Sequence, residues 1–399
     1  MHILLKKGLI VLIVVEKYGG TSVDSLQKLK EIALHIKKMR SKGKQMIIII
    51  SAKGKTTDNL IANARTIDPF IEGRELDALL SIGEIESASL LTMVLNSMNI
   101  RAISLNAWQI PIYASSNYQN GKIININTKK IIKELKKEKT IVIPGFQGIN
   151  NETELITLGR GGSDTIAIAM ASAFKSSCFI YTDVPGVFSI DPKKDADANH
   201  LKTITYDEMI ELSSSGNKVI ASRAILLAKE LRVKLYIKKL GEKKMTKINE
   251  RSIEKRVITG ITVQNLNKCF LSKSKIKPFL TTCQNLKLMI EKISYKDNEW
   301  HIYYLESEEN KIKKIEQEVT LSKSMTKYAL ISIIGLGLKN RFFIVSEIYE
   351  LMLQNNFTIY ELLQSDLKIT ILTDEEIQDA IIKKLSSHFK LRGANCNGL

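Results

Sequence analysis

Apolar positions fall in two registers along the first 240 residues. Short unbroken runs, LIVLIVV (9–15), MIIIIS (46–51), RAISL, TIVIPGF, CFIYTD and VKLYIKK, read as strands covered on both faces. Between them the apolar residues recur at helical spacing, over 23–42, 76–98, the segment opened by GGSDT, YDEMIELSSSG and SRAILLAKEL. Strand-helix alternation of this kind predicts an α/β fold with a doubly wound, mostly parallel sheet. Ligands of such sheets bind beyond the carboxyl ends of the strands. The glycine-rich turns lie there: Gly19-Gly20, Gly54, Gly145 to Gly148 and Gly159 to Gly162.

The pattern changes near 245–257, where GEKKMTKINERSIEKR is polar and charged and reads as a linker. Beyond it, YALISIIGLG is a strand, and FFIVSEIYELMLQNN puts Ile344, Ile348, Leu351 and Met352 on one helical face. FTIYELLQSD and LKITILTD follow as strands. Thr373 and Glu376 form a candidate capping box before a last helix with Ile377, Ala380, Ile381 and Leu385 inward. That order, β-α-β-β-α, is most of a ferredoxin-like α+β unit. The stretch 262–319 holds strand-like pieces such as EWHIYYLES in a weak pattern.

Composition narrows the function. A chain of 399 residues with 44% hydrophobic residues is expected to form two or three packed domains. The net charge of +17 invites a nucleic-acid reading, but the lysines are spread along the whole chain. Aromatic residues make up 6% and do not interleave with a basic stripe, so no stacking platform emerges and no nucleic-acid partner is expected. The four cysteines, Cys178, Cys269, Cys283 and Cys396, are far apart and read as reduced thiols of a cytoplasmic protein. The five histidines form no cluster. The start, MHILLKKGLIVLIVVEK, mimics a signal peptide, yet Glu16 and Lys17 follow where a small-residue cleavage site belongs. It reads instead as a buried first strand. No run reaches the 18 or so apolar residues of a membrane span, and no membrane partner is expected.

Five stretches carry chemistry. TLGRGGSDT places glycines, Arg160 and Asp164 at the start of an apolar helix, where backbone amides favour an anion. The plain alternative is Ser163 as an N-cap and Asp164 as a dipole partner. VVEKYGGTSV sets Lys17 directly after a buried strand and before two glycines, which suits a polyphosphate or a simple turn. YTDVPGVFSIDPK is either a hairpin or a rigid loop presenting Thr182, Asp183, Phe188 and Lys193. In LLSIGEIESASLL, Gly83-Glu84 interrupts an apolar helix, so Glu84 is either solvated or paired with a cation. SSSGNKV places Lys218 after a glycine turn.

Together and in order, KYGGTSV, SAKGKTTDNLI, LLSIGE, GFQG, TLGRGGSDT, YTDVPGVFSIDPK and GNKV resemble the aspartate kinases of the amino-acid-kinase fold, over roughly residues 9 to 238. ISIIGLG, NNFTIYELLQSD and LKITILTDEE resemble an ACT domain, the amino-acid-sensing unit these kinases carry. The resemblance implies a catalytic domain over 1–248, a degenerate first ACT-like region over 257–325 and an ACT domain over 326–399. It implies transfer of the γ-phosphoryl of ATP to the β-carboxylate of L-aspartate, with Mg2+ bound through the nucleotide phosphates. The pathway it implies leads to lysine, threonine and methionine. Alternatives are a same-fold kinase of another acid such as glutamate, or a catalytically weak ACT-type regulatory subunit.

The resemblance also assigns residues. Lys17 contacts the transferring phosphoryl beside the amides of Gly19 and Gly20, and Asp164 orients that lysine. Arg160 takes the substrate α-carboxylate and Glu84 its ammonium, with Ser51, Thr57 and Ser163 as further substrate contacts. Thr182, Asp183, Phe188 and Lys193 form the nucleotide loop, and Lys218 holds phosphates. Phe188 stands where the family usually has Tyr, and Lys193 where it has Arg, losing a hydroxyl and a guanidinium fork. An effector, lysine and/or threonine, is implied at the ACT region. LKNRFFIVSEIY lacks the Pro-Gly turn that often opens an ACT helix, a departure expected to alter that control. A homodimer or higher homo-oligomer is expected from the exposed sheet edge of an ACT unit.

Overall fold

A computed structural model describes residues 4–6, 9–250 and 257–393. The chain packs as two units. The first takes Met1–Val187, His200–Ser213 and Lys218–Glu254; the second takes Phe188–Asn199, Ser214–Asn217 and Lys255–Leu399.

The first unit is built on eight strands: β1 (Ile13–Tyr18), β2 (Gln45–Ile50), β3 (Ala102–Ser104), β4 (Thr140–Pro144), β5 (Cys178–Tyr181), β6 (Thr203–Thr205), β7 (Leu235–Lys238) and β8 (Met245–Asn249). Their order across the sheet is β6-β8-β7-β5-β1-β2-β4-β3. All neighbours run parallel except β7 and β8. The central runs are apolar throughout because both faces are covered; every residue of β2 and β4 is buried. Helices α1 (Leu26–Ser41), α2 (Thr56–Ile67), α3 (Arg74–Ser97), α4 (Lys129–Lys136), α5 (Gly162–Ala173), α6 (Tyr206–Ser214) and α7 (Ser222–Glu230) complete the series. A separate four-stranded sheet, ordered Leu155–Thr157, Gln147–Ile149, Ile112–Ala114, Ile123–Ile126, leads the chain into the Gly159 turn.

Three expectations change here. The first apolar run splits at Leu12, which is exposed: Leu9–Val11 pairs with Leu4–Lys6, and β1 begins at Ile13. The following helix begins at Leu26, capped by Ser25, whose hydroxyl accepts the Lys28 N–H at 3.3 Å. Helix α3 runs through Gly83-Glu84, as the apolar spacing over 76–98 predicts. It is also long and apolar enough to cross a membrane by length and composition, with mean hydropathy 1.5. Half of that window is buried, and Ala88, Leu91 and Leu95 pack into the core beneath the sheet.

The second unit has one sheet carrying two β-α-β-β-α passes. The first is β9 (Ile258–Ser272), α8 (Ile276–Asn285), β10 (Ile290–Lys296), β11 (Glu299–Leu305) and α9 (Glu309–Glu316). The second is β12 (Tyr328–Gly335), α10 (Phe342–Gln354), β13 (Glu361–Gln364), β14 (Lys368–Asp374) and α11 (Gln378–His388). The strand order is β10-β11-β9-β12-β14-β13, with β9 and β12 joining the passes antiparallel; Ser322–Lys323 adds a short strand beside β9. In α10 Ile344, Ile348 and Met352 are buried, and Leu351 is half-buried. The expected capping box does not form. Thr373 donates its hydroxyl to Thr358 O at 2.6 Å, and the 3-10 turn Glu375–Ile377 precedes α11, which has no side-chain cap. Ala380 is exposed; the inward face is Ile381, Ile382 and Leu385.

Candidate active site

Lys17 is the second-last residue of β1, the strand between β5 and β2 at the middle of the sheet. Pleating sends alternate side chains to opposite faces. Glu16 and Tyr18 therefore share one face, where Glu16 is buried and accepts from the Tyr18 hydroxyl at 2.8 Å, with His35 Nε2 at 3.0 Å. Lys17 emerges on the other face. Its Nζ stands 2.7 Å from Asp164 Oδ1, with both side chains about nine-tenths buried. The contact is an ion pair off the hydrogen-bond direction, because Asp164 Oδ1 makes no directional bond. Asp164 sits in the first turn of α5, which starts at Gly161 in the left-handed region with φ 73°. Ser163 is therefore inside the helix and is not its N-cap.

Close approach of strand ends builds the floor. Gly145, directly after β4, donates its N–H to Ile50 O at 2.8 Å. A Cβ there would lie 2.4 Å from Ser163 Oγ and 3.0 Å from Ile50 O, so only glycine lets β2, β4 and α5 meet. Lys17 Nζ comes within 3.6 Å of where a Cβ on Gly19 would stand. Gly20 opens a 3-10 turn, Gly20–Ser22, and accepts from the Gly54 N–H at 3.1 Å. Contrary to expectation the Gly19 N–H is already committed, donating to Tyr181 O at 3.1 Å, and Gly162 N–H donates to Gly159 O at 3.0 Å. The remaining first amides of the 3-10 turn and of α5 have no intrahelical partner, a site suited to negative charge.

Gly83 does for α3 what Gly145 does for α5. A Cβ on it would meet Ala52 Cβ at 2.7 Å. The close approach puts Glu84 against the loop after β2, where Ala52 N–H donates to Oε1 at 3.1 Å. Glu84 is 4% exposed, and its Oε2 has no partner. Burial pushes this carboxyl up to about 7, partly opposed by the Ala52 amide and by the charge of Lys17. Ser51, half-buried, donates its N–H to Tyr18 O at 3.1 Å, and Thr57 is half-buried in the first turn of α2. Arg160 is exposed on the turn between Gly159 and Gly161 and has no ion pair or hydrogen bond among the described residues.

The nucleotide-side residues divide. Thr182 follows β5 and donates its hydroxyl to Asp183 Oδ1 at 3.0 Å. Lys218 is exposed between α6 and α7, without a hydrogen bond or ion pair among the described residues. Phe188 and Lys193 belong by packing to the second unit. Their segment is anchored there: Ile190 lies in the core with Ile261 and Leu391, and Ile261 N–H donates to Ser189 O at 2.7 Å. Lys193 is exposed, its N–H held by Asp191 Oδ1 at 2.9 Å. Two side chains to which the sequence reading gave no role, Asp77 and Arg223, hold Thr157 and Leu158 just before the glycine turn. A buried aspartate in a first helical turn reads as a dipole partner, so no signal marked it.

Residues 12–239 match the model of the amino acid kinase family. The aspartokinase of Bacillus sp. strain MGA3 is 34% identical over 96% of this chain and 98% of its own length. Aspartokinase 2 of Bacillus subtilis is 32% identical over 95% and 98%. The chain belongs to the aspartokinases. The aspartokinase likeness extends through both packing units. Among solved structures, E. coli aspartokinase III in complex with aspartate and ADP superposes with a TM-score of 0.75, at 17% identity over 94% of this chain and 99% of that one. That likeness carries the aspartokinase fold, an amino-acid-kinase sheet followed by ACT-like passes.

Proposed function

We propose that this chain is an aspartate kinase, forming 4-phospho-L-aspartate and ADP from L-aspartate and ATP. The carrying observation is the Lys17–Asp164 ion pair at the converging ends of β1, β2 and β4, with Glu84, whose Oε2 has no hydrogen-bond partner, within electrostatic reach of Lys17. A β-carboxylate oxygen forms a bond to the γ-phosphorus, and the bond to the bridging oxygen breaks with its electron pair leaving on ADP. The acceptor is already ionised at neutral pH, with a reference value of about 3.9, so no general base is required. The obstacle is repulsion between two anions, which fixed cations and oriented amides offset in the transition state.

Lys17, with the amide of Gly20, holds the transferring phosphoryl, while the Gly19 N–H is committed to Tyr181 O, and Asp164 fixes the lysine's direction. Arg160 forks the α-carboxylate with two parallel bonds, geometry a lysine does not supply. Glu84 pairs with the α-ammonium, beside Ser51, Thr57 and Ser163. Thr182, Asp183, Phe188, Lys193 and Lys218 serve the nucleotide. The glycine floor and the free amides fit a phosphate chain. Mg2+ in this reading is carried on the nucleotide phosphates. When bound, that ion supplies charge neutralisation between the phosphates.

E. coli aspartokinase III has also been solved with lysine and aspartate. An amino-acid effector, lysine or threonine, acting through the ACT-like unit belongs to the same reading, as does a homodimer. ADP release coupled to hydroxamate trapping tests the activity: an aspartate-dependent signal with Mg-ATP is expected, and its absence sinks the proposal. Glutamate in a parallel assay separates the alternative acceptor. Repeating the assay with lysine, threonine and methionine tests the effector, and light scattering tests the dimer.

A further inference from the structure

Asp77 is wholly buried in the first turn of α3 and forms no ion pair among the described residues. A buried carboxylate without a cation needs donors on its oxygens. Asp77 has them from two segments. Gln119 donates its N–H at 3.1 Å and its Nε2 at 2.7 Å. Thr157 donates its N–H at 2.7 Å and its hydroxyl at 2.6 Å.

Thr157 and Leu158 are the last residues before the turn that carries Arg160. All four of their backbone polar groups are held. Thr157 N–H goes to Asp77, and Thr157 O accepts from Gly121 N–H at 3.0 Å. Leu158 N–H goes to Phe146 O at 2.8 Å, and Leu158 O accepts from Arg223 Nη1. Arg223 also reaches Gly121 O and Asn120 Oδ1. The chain is thus locked up to Leu158, and Gly159 O accepts from Gly162 N–H at 3.0 Å to close the turn, so the origin of the Arg160 side chain is fixed although its guanidinium has no hydrogen bond or ion pair among the described residues.

Asp77 and Glu84 are seven residues apart on one helix. Two turns bring them to the same face, roughly 10 Å apart along the axis. One rigid helix therefore carries both the anchor of the Arg160 turn and the Glu84 carboxylate.

We propose that Asp77 and Arg223 are positioning residues for amino-acid recognition, fixing Arg160 relative to Glu84 and so setting the carboxylate-to-ammonium spacing the site accepts. The inference rests on the reading of Arg160 and Glu84 as the α-carboxylate and α-ammonium partners.

The test is initial-rate kinetics of the full chain with aspartate and ATP varied separately. Asp77→Asn turns one acceptor into a donor facing donors. It and Arg223→Gln should each raise the aspartate KM about 10-fold or more, with kcat and the ATP KM within about 2-fold. Thr157→Val removes one donor to Asp77 and should give a smaller rise in the same direction. In an Arg160→Ala background, Asp77→Asn should add less than about 2-fold, because the two residues act through one contact. A multiplicative effect in that background, or a fall in kcat at unchanged KM, overturns the proposal. If Asp77→Asn does not fold, Arg223→Gln and Thr157→Val decide, and an unchanged aspartate KM in both overturns it. Failure of the underlying reading looks different: Arg160→Ala alone would then leave the aspartate KM unmoved.

Discussion

Lys17 Nζ and Asp164 Oδ1 stand 2.7 Å apart, joining the central strand to the first turn of the helix that covers it. Lys17 occupies a nearly dry position, so its direction depends on that one carboxylate. Asp164→Asn keeps the shape and removes the charge. The expected result is a kcat lowered about 10- to 100-fold with the aspartate KM within about 3-fold. Steady-state rates with saturating Mg-ATP check it; a variant at wild-type turnover contradicts it.

On the proposed pairing with the substrate ammonium, Glu84 should make aspartate affinity pH-dependent. Its carboxyl is pushed from 4.5 up to about 7 by burial, so below that value it is mostly neutral in the free enzyme and pairs poorly with an ammonium group. The aspartate KM should fall as pH rises from 6 to 8 and then level off. Stability moves the other way. The folded-state value lies above the unfolded one, so the folded chain binds the proton more tightly, and that stabilisation is lost as pH rises from 4.5 through about 7. Glu84→Gln should therefore melt like wild type near pH 4.5 and higher than wild type at pH 8, by a free energy of the order of 3 kcal/mol at most. Melting curves at the two pH values measure the difference; equal shifts at both contradict the assignment.

The sheet was legible where both its faces are covered, because β2, β4, β5 and the first half of β1 read as apolar runs. Lys17, Arg160 and Asp164 were legible because each adjoins a glycine turn at the end of such a run. The four-stranded sheet was not: its strands are three or four residues long and mixed with turns. The first β-α-β-β-α pass was hidden for another reason. Strand β9 carries Lys268 at 9% exposure, its amine stacked over Phe270, Tyr303 and Tyr328 at 4.6 to 5.3 Å. A charged letter at a buried position erases the alternation, although the rings satisfy it physically. Whether Glu84 was solvated or paired stayed open because sequence alone did not show Gly83 lying against Ala52.

Gly145 tests the floor. Adding a methyl group forces Ser163 or the β2–β4 junction to move. Gly145→Ala should cost about 1–3 kcal/mol of stability and lower turnover more than Gly43→Ala, where nothing lies within 4 Å although φ is positive. Chemical denaturation and rate assays on the two variants compare them. Indistinguishable activities would show that the floor yields.

The second unit holds residues 188–199 by charge as well as packing. Arg392 pairs with Asp195 at 3.0 Å and Asp197 at 2.7 Å, and Ser386 donates to Asp195 at 3.1 Å. Asp195 is buried, whereas Arg392 is about a third exposed. Arg392→Ala should destabilise by about 2 kcal/mol, below the cost of breaking a fully buried pair. Adding Asp195→Ala to it should cost less than Asp195→Ala does alone. Urea titrations of the single and double variants measure the coupling; strict additivity argues against it.

In the proposed mechanism, offsetting repulsion between two anionic reactants is divided between Lys17, which meets the transferring phosphoryl, and Arg160, which meets the acceptor's α-carboxylate. Parallel kinetics of Lys17→Ala and Arg160→Ala test that division most directly. Lys17→Ala should lower kcat about 100- to 1,000-fold with little change in the aspartate KM, and Arg160→Ala should chiefly raise the aspartate KM. The same proportional change in both parameters for both variants would contradict it.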